Sequence, residues 1–182
     1  SRSGARVCIL DKDMLTMIEE PQTIVPSCEY SLNSPNENFK GFADHEYFEA
    51  ASIRKANGKY YFIYSSIVMH ELCYATSDSP LGPFIYGGVI VSNCDLHIDS
   101  YKPADMPTAY GANNHGSIEK IGDDWYIFYH RQTNGNWYSR QGCAEKIKIL
   151  EDGSIPQVEI TSCGLNGGPL VSKGVYPAHI AC

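Results

Sequence analysis

A repeat at a spacing of 65 residues constrains the fold of this chain more than any other feature of its sequence. Residues 52–64 (SIRKANGKYYFIY) are similar to residues 117–129 (SIEKIGDDWYIFY). Each copy contains a short strand, a tight polar turn and a second strand of aromatic and β-branched residues, which is the pattern of a β-hairpin. Because such a unit buries its apolar faces against its neighbours, the repeat predicts sheets that stack on one another.

Two further strands are predicted after each hairpin. They cover residues 72–76 and 84–91 after the first copy, and residues 142–149 and 158–160 after the second. Four consecutive strands per repeat are typical of a β-propeller blade. The sequence therefore predicts an all-β fold that contains two complete four-stranded blades, at residues 48–92 and 114–162.

The two ends of the chain predict parts of other blades. A strand at residues 6–10 opens the segment 6–40, which we expect to be the remainder of an earlier blade, and residues 163–182 are expected to form a turn-rich closing tail. Propellers contain about four to eight blades, and this chain accounts for fewer than three. We therefore expect one partial propeller domain, whose missing N-terminal segment precedes this chain or is supplied as a separate polypeptide.

Charge and hydropathy exclude two classes of partner. The formal net charge is -7 and the basic residues are dispersed, whereas nucleic acid is bound by a concentrated Lys and Arg surface. No apolar run approaches the roughly 20 residues needed to cross a bilayer. An uncharged ligand fits this composition better. A secreted or periplasmic location of the protein is slightly favoured, and a cytoplasmic location stays open.

The spacing of cysteine and histidine provides no familiar metal motif. The seven cysteines are widely spaced and include no Cys-x-x-Cys pair, which argues against zinc. Buried free thiols are the favoured interpretation, and one or two disulfides in a secreted protein are the alternative. The pairs His45-Glu46 and His70-Glu71 lack the His-Glu-x-x-His spacing of zinc proteases and are interpreted as ordinary loop residues.

Alignment of the two repeats indicates which residues meet at the propeller axis. The innermost strands of all blades begin at one rim of the central channel. Glu49 and Asn114 lie three residues before Ser52 and Ser117, and His115 follows directly. Glu49 stands in the apolar, aromatic stretch YFEAA, which disfavours the ionised carboxylate and suits a general acid. A solvent-exposed residue at the end of a strand is the alternative.

Three more polar residues are candidates for contacts to a ligand. Asn114 offers amide donors and acceptors that suit hydroxyl-rich ligands. His115 is either a ligand contact or a hydrogen-bonded structural residue. Arg140 begins the strand after the second hairpin, and either reaches the same axis or lies on the surface.

Several motifs, in the same order, resemble glycoside hydrolase family 43. They are FEAASIRK at 48–55, YYFIYSS at 60–66, YATSDSPLGPF at 74–84, NNHGSI at 113–118 and YHR at 129–131. The resemblance covers nearly the whole chain. It implies a five-bladed β-propeller and a glycosidase acting on xylose-, arabinose- or galactose-containing polysaccharides or oligosaccharides.

The resemblance also implies roles for individual residues. Members of the family invert the anomeric configuration with three carboxylates, and Glu49 matches the general acid. The general base and the Asp that tunes the acid match no residue here, so the chain alone is expected to be inactive. His115 resembles an axial His that lies near the substrate or, in some members, binds a central structural calcium ion. Arg140 resembles an Arg that contacts the sugar, and no other cofactor is implied.

Two other functions are compatible with the same sequence. In a non-catalytic carbohydrate-binding propeller, the axial groups hold a sugar without cleaving it, and an upstream Asp would distinguish the two cases. In a structural repeat domain that binds a protein partner, a large exposed apolar patch would replace the polar axial site.

Overall fold

Antiparallel β-sheets account for nearly all the regular secondary structure in the described part of the chain. The structure, a computed structural model, describes residues 4–28, 33–98, 114–132, 134–166, 168 and 172–176. The elements, in chain order, are β1 (Ala5–Val7), β2 (Gln22–Val25), the short helix α1 (Glu37–Lys40), β3 (Tyr47–Ala56), β4 (Lys59–Ser66), β5 (Glu71–Ser77), β6 (Ile85–Ser92), β7 (Gly116–Ile121), β8 (Asp124–Gln132) and β9 (Arg140–Ile147). They form a two-stranded sheet β1-β2, a four-stranded sheet β3-β4-β5-β6 and a three-stranded sheet β7-β8-β9. The all-β class predicted from the sequence is confirmed.

The first predicted hairpin has the turn that its sequence demands. Residues Asn57 and Gly58 join β3 to β4 with φ angles of 49° and 84°. Two consecutive residues with positive φ are characteristic of the type I′ turn, whose twist matches that of the strands, and Asn-Gly is the favoured pair. This turn sets the register of the four-stranded sheet.

Strand β4 is buried on both faces, which explains its uninterrupted apolar sequence. Side chains alternate across a strand, so that Tyr61 and Ile63 enter one core cluster while Phe62 and Tyr64 enter another. The cluster with Phe62 also contains Val25 from β2, and the cluster with Tyr61 contains residues of β7 and β8. The four-stranded sheet is therefore the middle layer of three, as stacked blades require.

The innermost strands of the second and third sheets, β3 and β7, lie side by side. The Ser52 hydroxyl donates to the Ser117 hydroxyl at 2.9 Å, and Arg54 Nε donates to Glu119 Oε2 at 3.0 Å. Both pairs join residues 65 positions apart. Positions that are equivalent in the two repeats are thus in contact, as in a radial arrangement of blades.

The predicted fourth strand of the second blade, at 158–160, does not pair with β9. Val158 instead forms a parallel bridge with Val91 of β6, and the amide of Ile155 donates to the Tyr74 hydroxyl at 2.9 Å. Ile155 and Ile160 are 3% and 2% exposed. Their apolar side chains are buried between the two sheets, which is why this segment returns to the preceding sheet. The blade at 114–162 therefore has three strands of its own.

The terminal segments agree only in part with the sequence-based prediction. The predicted strand at 6–10 is shorter, Ala5–Val7, and it pairs with β2, a strand that the sequence analysis did not identify. The described residues of the tail, 163–166, 168 and 172–176, contain no strand. Among the residues that the structure covers, no helix has the length and hydropathy needed to span a bilayer. The six described cysteines are free thiols, and Cys182 lies outside the described residues.

A buried ion pair joins the loop before β3 to the start of β5, and it corrects the interpretation of His45 and Glu71 as ordinary loop residues. The Glu71 carboxylate is 3% exposed, and His45 Nδ1 lies 2.6 Å from its Oε1. The hydrogen bond with Glu71 raises the pKa of His45 against the effect of burial. Burial opposes ionisation of Glu71, but hydrogen bonds from His45 and Ser66 outweigh it and lower the pKa of this carboxyl.

The two shifts define a pH window for the stability of the fold. The contribution of His45 is complete below its ordinary pKa of 6.5 and is lost as the pH rises through the raised value. The contribution of Glu71 is complete above its ordinary pKa of 4.5 and is lost as the pH falls through the lowered value. The pair therefore stabilises the chain most between these two ordinary values.

We predict that His45→Gln lowers the free energy of unfolding by about 2–3 kcal/mol near pH 5.5, because it leaves a buried carboxylate without its cationic partner. Urea denaturation at several pH values measures this. The unmodified chain should lose stability as the pH rises above 6.5 and through the raised pKa of His45, and the variant should lack this decline. His70→Gln is the matched control, since burial lowers the pKa of His70 and its contribution has the opposite pH dependence. A decline that persists in His45→Gln would contradict the assignment.

Candidate active site

Glu49 lies at an irregularity of β3. The register with β4 shifts on both sides of Glu49, between Tyr47 and Glu49 and again between Glu49 and Ser52. Ala50 adopts a φ of 62°, a left-handed conformation that costs a residue with a side chain roughly 1 kcal/mol or more. An inserted residue bends a strand and changes the direction of its side chains. The bulge at Glu49 therefore sets the direction of this carboxylate.

The Glu49 carboxylate contacts the imidazole of His115. Nε2 of His115 lies 2.9 Å from Oε1 of Glu49, and the two side chains are 44% and 36% exposed. His115 directly precedes β7, so the contact joins the starts of two innermost strands. The sequence-based prediction that these two residues meet at a common rim agrees with this geometry. The apolar enclosure expected for Glu49 is not provided by the described residues, because over a third of the side chain stays exposed.

His130 and Arg140 extend the same group of side chains across the third sheet. The rings of His115 and His130 are 5.5 Å apart, and Nη1 of Arg140 lies 3.5 Å from Nε2 of His130. Burial, followed by the charge of Arg140 and the neighbouring His115, lowers the pKa of His130. His130 is thus a neutral imidazole at neutral pH, between a half-exposed imidazole and a guanidinium.

His130 belongs to one of the sequence motifs, but it is absent from the site predicted from the sequence. The register of the second hairpin indicates where His130 lies. Counting outward from the turn, Gly116 pairs with Tyr129, so the next rung places His115 beside His130. Residues opposite each other on antiparallel strands have neighbouring side chains.

Asn114 is placed differently from the prediction that it contacts a substrate. Its side chain is 0% exposed, and its amide donates to Asn93 Oδ1 at 3.2 Å and to the His70 carbonyl at 3.5 Å. The repeat alignment equates Asn114 with Glu49, but the bulge in β3 displaces Glu49 by one position toward His115. Asn114 therefore holds two loops together beneath the rim.

A calcium site at His115 is not built by the described residues. Calcium takes six to eight oxygen ligands, whereas His115 Nε2 is already hydrogen-bonded to Glu49 and its other close neighbours are His130 and, beyond it, the cationic Arg140. Within the described part of the chain, His115 does not belong to any group of three close metal-ligating side chains. The calcium ion stays a prediction.

The geometry provides one carboxyl group, two imidazoles and one guanidinium on a partly exposed rim. A carboxyl group in contact with an imidazole can hold or release a proton at a defined atom, and the guanidinium N–H groups can donate to hydroxyl oxygens. Such a set can bind a polyhydroxylated ligand and protonate one of its oxygens. The described residues offer no second carboxylate that contacts this set.

Comparison with known proteins identifies relatives over the whole chain. A xylosidase/arabinosidase of Thermoclostridium stercorarium is 66% identical over 182 residues, which are 100% of this chain and 37% of that protein. A xylosidase/arabinosidase of Bacteroides ovatus is 36% identical over 158 residues, 85% of this chain and 42% of that protein. No protein-family model matches the chain.

Solved structures show the same relationship. A β-xylosidase/α-arabinofuranosidase of glycoside hydrolase family 43 from a compost microbial metagenome, in complex with xylotriose, superposes with a TM-score of 0.63 at 32% identity, covering 85% of this chain and 42% of that one. A family member from Xanthomonas citri gives a TM-score of 0.62 at 28% identity, covering 86% and 42%. The chain thus spans less than half the length of each of these relatives.

Fold and neighbours together define the chain as part of a five-bladed β-propeller of the glycoside hydrolase type. It belongs to glycoside hydrolase family 43. The family to which the sequence motifs pointed is confirmed.

We predict that Gly116→Ala destabilises the fold by about 3 kcal/mol or more. A Cβ at this position would lie 1.9 Å from the backbone oxygen of Phe128 and 2.8 Å from Leu72, so the strand that follows His115 would have to move. Denaturant titration gives the free energy of unfolding. The matched control is Gly142→Ala in β9, where a Cβ meets nothing within 4 Å. Equal stability of the two variants would contradict the close packing of β7.

Proposed function

We propose that the protein containing this chain is a glycosidase that hydrolyses xylosyl or arabinosyl linkages, with Glu49 as the proton donor. The observation that carries the proposal is the contact of Glu49 with His115 at 2.9 Å, on a rim shared by two sheets. Family membership and the names of the relatives, which include xylosidase/arabinosidase and β-xylosidase, support the substrate class. The xylotriose bound in a structural neighbour supports a substrate of several sugar units.

Glu49 would act as a general acid. Cleavage of a glycosidic bond leaves an alkoxide unless the leaving oxygen receives a proton, and a positioned carboxylic acid supplies it in the transition state. The hydrogen bond between His115 Nε2 and the Glu49 oxygen, at 2.9 Å, would keep the carboxyl group in one orientation toward the rim. The 36% exposure of Glu49 leaves room for a sugar to approach and exclude water.

His130 and Arg140 would orient the sugar. The pKa of His130 is lowered, first by burial and then by Arg140, so this imidazole stays neutral and does not repel the guanidinium. Arg140 Nη1 remains 3.5 Å from it, and the other N–H groups of the guanidinium can donate to sugar hydroxyls. Asn114 would act indirectly, by holding the loop that carries His115.

We further propose an inverting mechanism, with the general base outside the described residues. Inversion needs a water molecule between base and sugar, so the two carboxyl groups would be about 6.5–9.5 Å apart. Glu49 has no carboxylate partner of this kind among the described contacts of the site. The remainder of the propeller, in the same polypeptide or in another one, would contribute the base.

We predict that Glu49→Gln reduces kcat/KM for xylobiose by about 10²–10⁴-fold, because the amide cannot donate a proton to a poor leaving group. The test uses a chimera in which this chain replaces the matching 182 residues of the Thermoclostridium stercorarium relative, which is 66% identical throughout. The Glu49→Gln variant should hydrolyse an aryl xyloside at most of the unmodified rate, because the aryl leaving group needs no proton.

The control for this chimera is Glu119→Gln. Glu119 is a glutamate of the next innermost strand, and its exposed ion pair with Arg54 should matter less than about twofold for activity. If Glu49→Gln lost activity equally on xylobiose and on the aryl xyloside, or kept both rates unchanged, Glu49 would not be the acid. Tight binding of xylotriose by the unmodified chimera without hydrolysis would instead support the carbohydrate-binding alternative.

The stereochemistry of the product provides a separate prediction. If the mechanism inverts, β-linked xylobiose first releases α-xylose from its non-reducing end, before mutarotation mixes the anomers. Proton NMR of the anomeric signals during the first minutes of hydrolysis by the same chimera measures this. Initial release of β-xylose would show retention, and it would require a nucleophilic carboxylate closer to Glu49, about 5–5.5 Å away.

A further inference from the structure

A second group of polar side chains lies outside the candidate active site, between the first two sheets. His45 precedes β3, while Glu71 and Cys73 lie on β5. Their ligating atoms, Nδ1, Oε1 and Sγ, all lie within 4.8 Å of one another. Glu71 and Cys73 are buried at 3% and 0% exposure, whereas the His45 side chain is 30% exposed and leaves a route from solvent.

The three atoms form a triangle of suitable size for a metal ion. Nδ1 to Oε1 is 2.6 Å, Sγ to Oε1 is 3.3 Å and Sγ to Nδ1 is 3.9 Å. The centre of this triangle is about 2.0 Å from each atom, close to the usual zinc distances of roughly 2.0–2.3 Å for nitrogen, oxygen and sulfur ligands. Tetrahedral angles would require the His45–Glu71 separation to widen by about 0.7 Å.

The surroundings fix the positions of these side chains. The Tyr86 ring stacks on the His45 ring at 5.1 Å and 14°, and the Tyr64 hydroxyl donates to the His45 carbonyl at 2.7 Å. The Ser66 hydroxyl donates to the same Glu71 oxygen at 2.5 Å. Hydrogen bonds and packing around the ligands are what orient a metal site and adjust its affinity.

The donor set selects one class of ion. Thiolate and imidazole are borderline to soft ligands that suit zinc and related transition metals, whereas calcium and magnesium prefer oxygen ligands alone. Three protein ligands with one exposed side leave a fourth position for water, as in open zinc sites. The spacing rules that argued against zinc concern local Cys-x-x-Cys and His-Glu-x-x-His motifs, and they do not detect ligands brought together from separate elements.

We propose that His45, Glu71 and Cys73 form a binding site for a single zinc-type divalent ion. In the metal-free chain, Cys73 is a thiol that donates to Glu71, and metal binding releases the thiol proton, together with the proton shared by His45 and Glu71, to solvent. The bound ion would tie the loop that leads into β3 to strand β5. Because Glu49 is on β3, four residues after His45, the ion would stiffen the strand that carries the proposed acid.

The test is metal binding by the intact 182-residue chain after treatment with a chelator. Calorimetric titration with zinc chloride should show one equivalent bound, and titration with cobalt chloride should give a thiolate-to-metal charge-transfer band. Cys73→Ser and His45→Gln should each weaken zinc binding by more than about 10-fold. Cys143→Ser, a partly buried cysteine on β9, is the matched control and should bind zinc like the unmodified chain.

Each result decides the proposal independently of any glycosidase activity. Absence of stoichiometric zinc binding, a cobalt complex without the thiolate band, or equal losses in Cys73→Ser and Cys143→Ser would overturn it. Circular dichroism of each variant reports whether it folds. If Cys73→Ser does not fold, the cobalt spectrum of the unmodified chain still determines whether a thiolate is a ligand.

Discussion

The lateral contact between β3 and β7 is the constraint on which the candidate site depends. Ser52 and Ser117 hydrogen-bond across it at 2.9 Å, and their positions are equivalent in the two repeats. This pairing alone would bring Glu49 opposite Asn114. The bulge in β3 adds one position, so that Glu49 meets His115 instead, at a separation of 66 residues. A local irregularity in one strand therefore selects which pair of side chains meets at the rim of the candidate site.

Two glutamates of the same sheet illustrate how burial decides the use of a carboxyl group. Glu49, on the innermost strand, is 36% exposed and has one imidazole neighbour. Glu71, two strands away, is 3% exposed and accepts hydrogen bonds from Ser66 and Cys73 in addition to its contact with His45. A buried carboxylate with several donors is held ionised. Glu71 is thus suited to binding a cation, whereas the Glu49 carboxyl group stays accessible from solvent.

The hairpins and the four-stranded sheet could be predicted from the sequence, because the repeat and the Asn-Gly turn encode them locally. The repeat also predicts that Glu49 and His115 lie at a common rim, although it pairs Glu49 with Asn114. The return of residues 155–160 to the preceding sheet could not, since an apolar stretch such as Val158–Ile160 does not specify which edge it joins. The contact of Glu49 with His115 instead of Asn114 depends on a one-residue bulge in β3, and β-bulges have no clear sequence signal here. His45 and Glu71 come together only through tertiary packing between sheets.

The segment 155–160 also affects how such chains could be recombined. By sequence it belongs to the second repeat, yet its backbone pairs with β6 of the first, through Val158 and the Ile90 carbonyl. A crossover placed at the boundary between repeats would separate a sheet from the residues that complete its outer edge. A unit that is exchanged with its outer edge complete would therefore extend past Ile160. It would overlap in sequence with the unit that contains the second repeat.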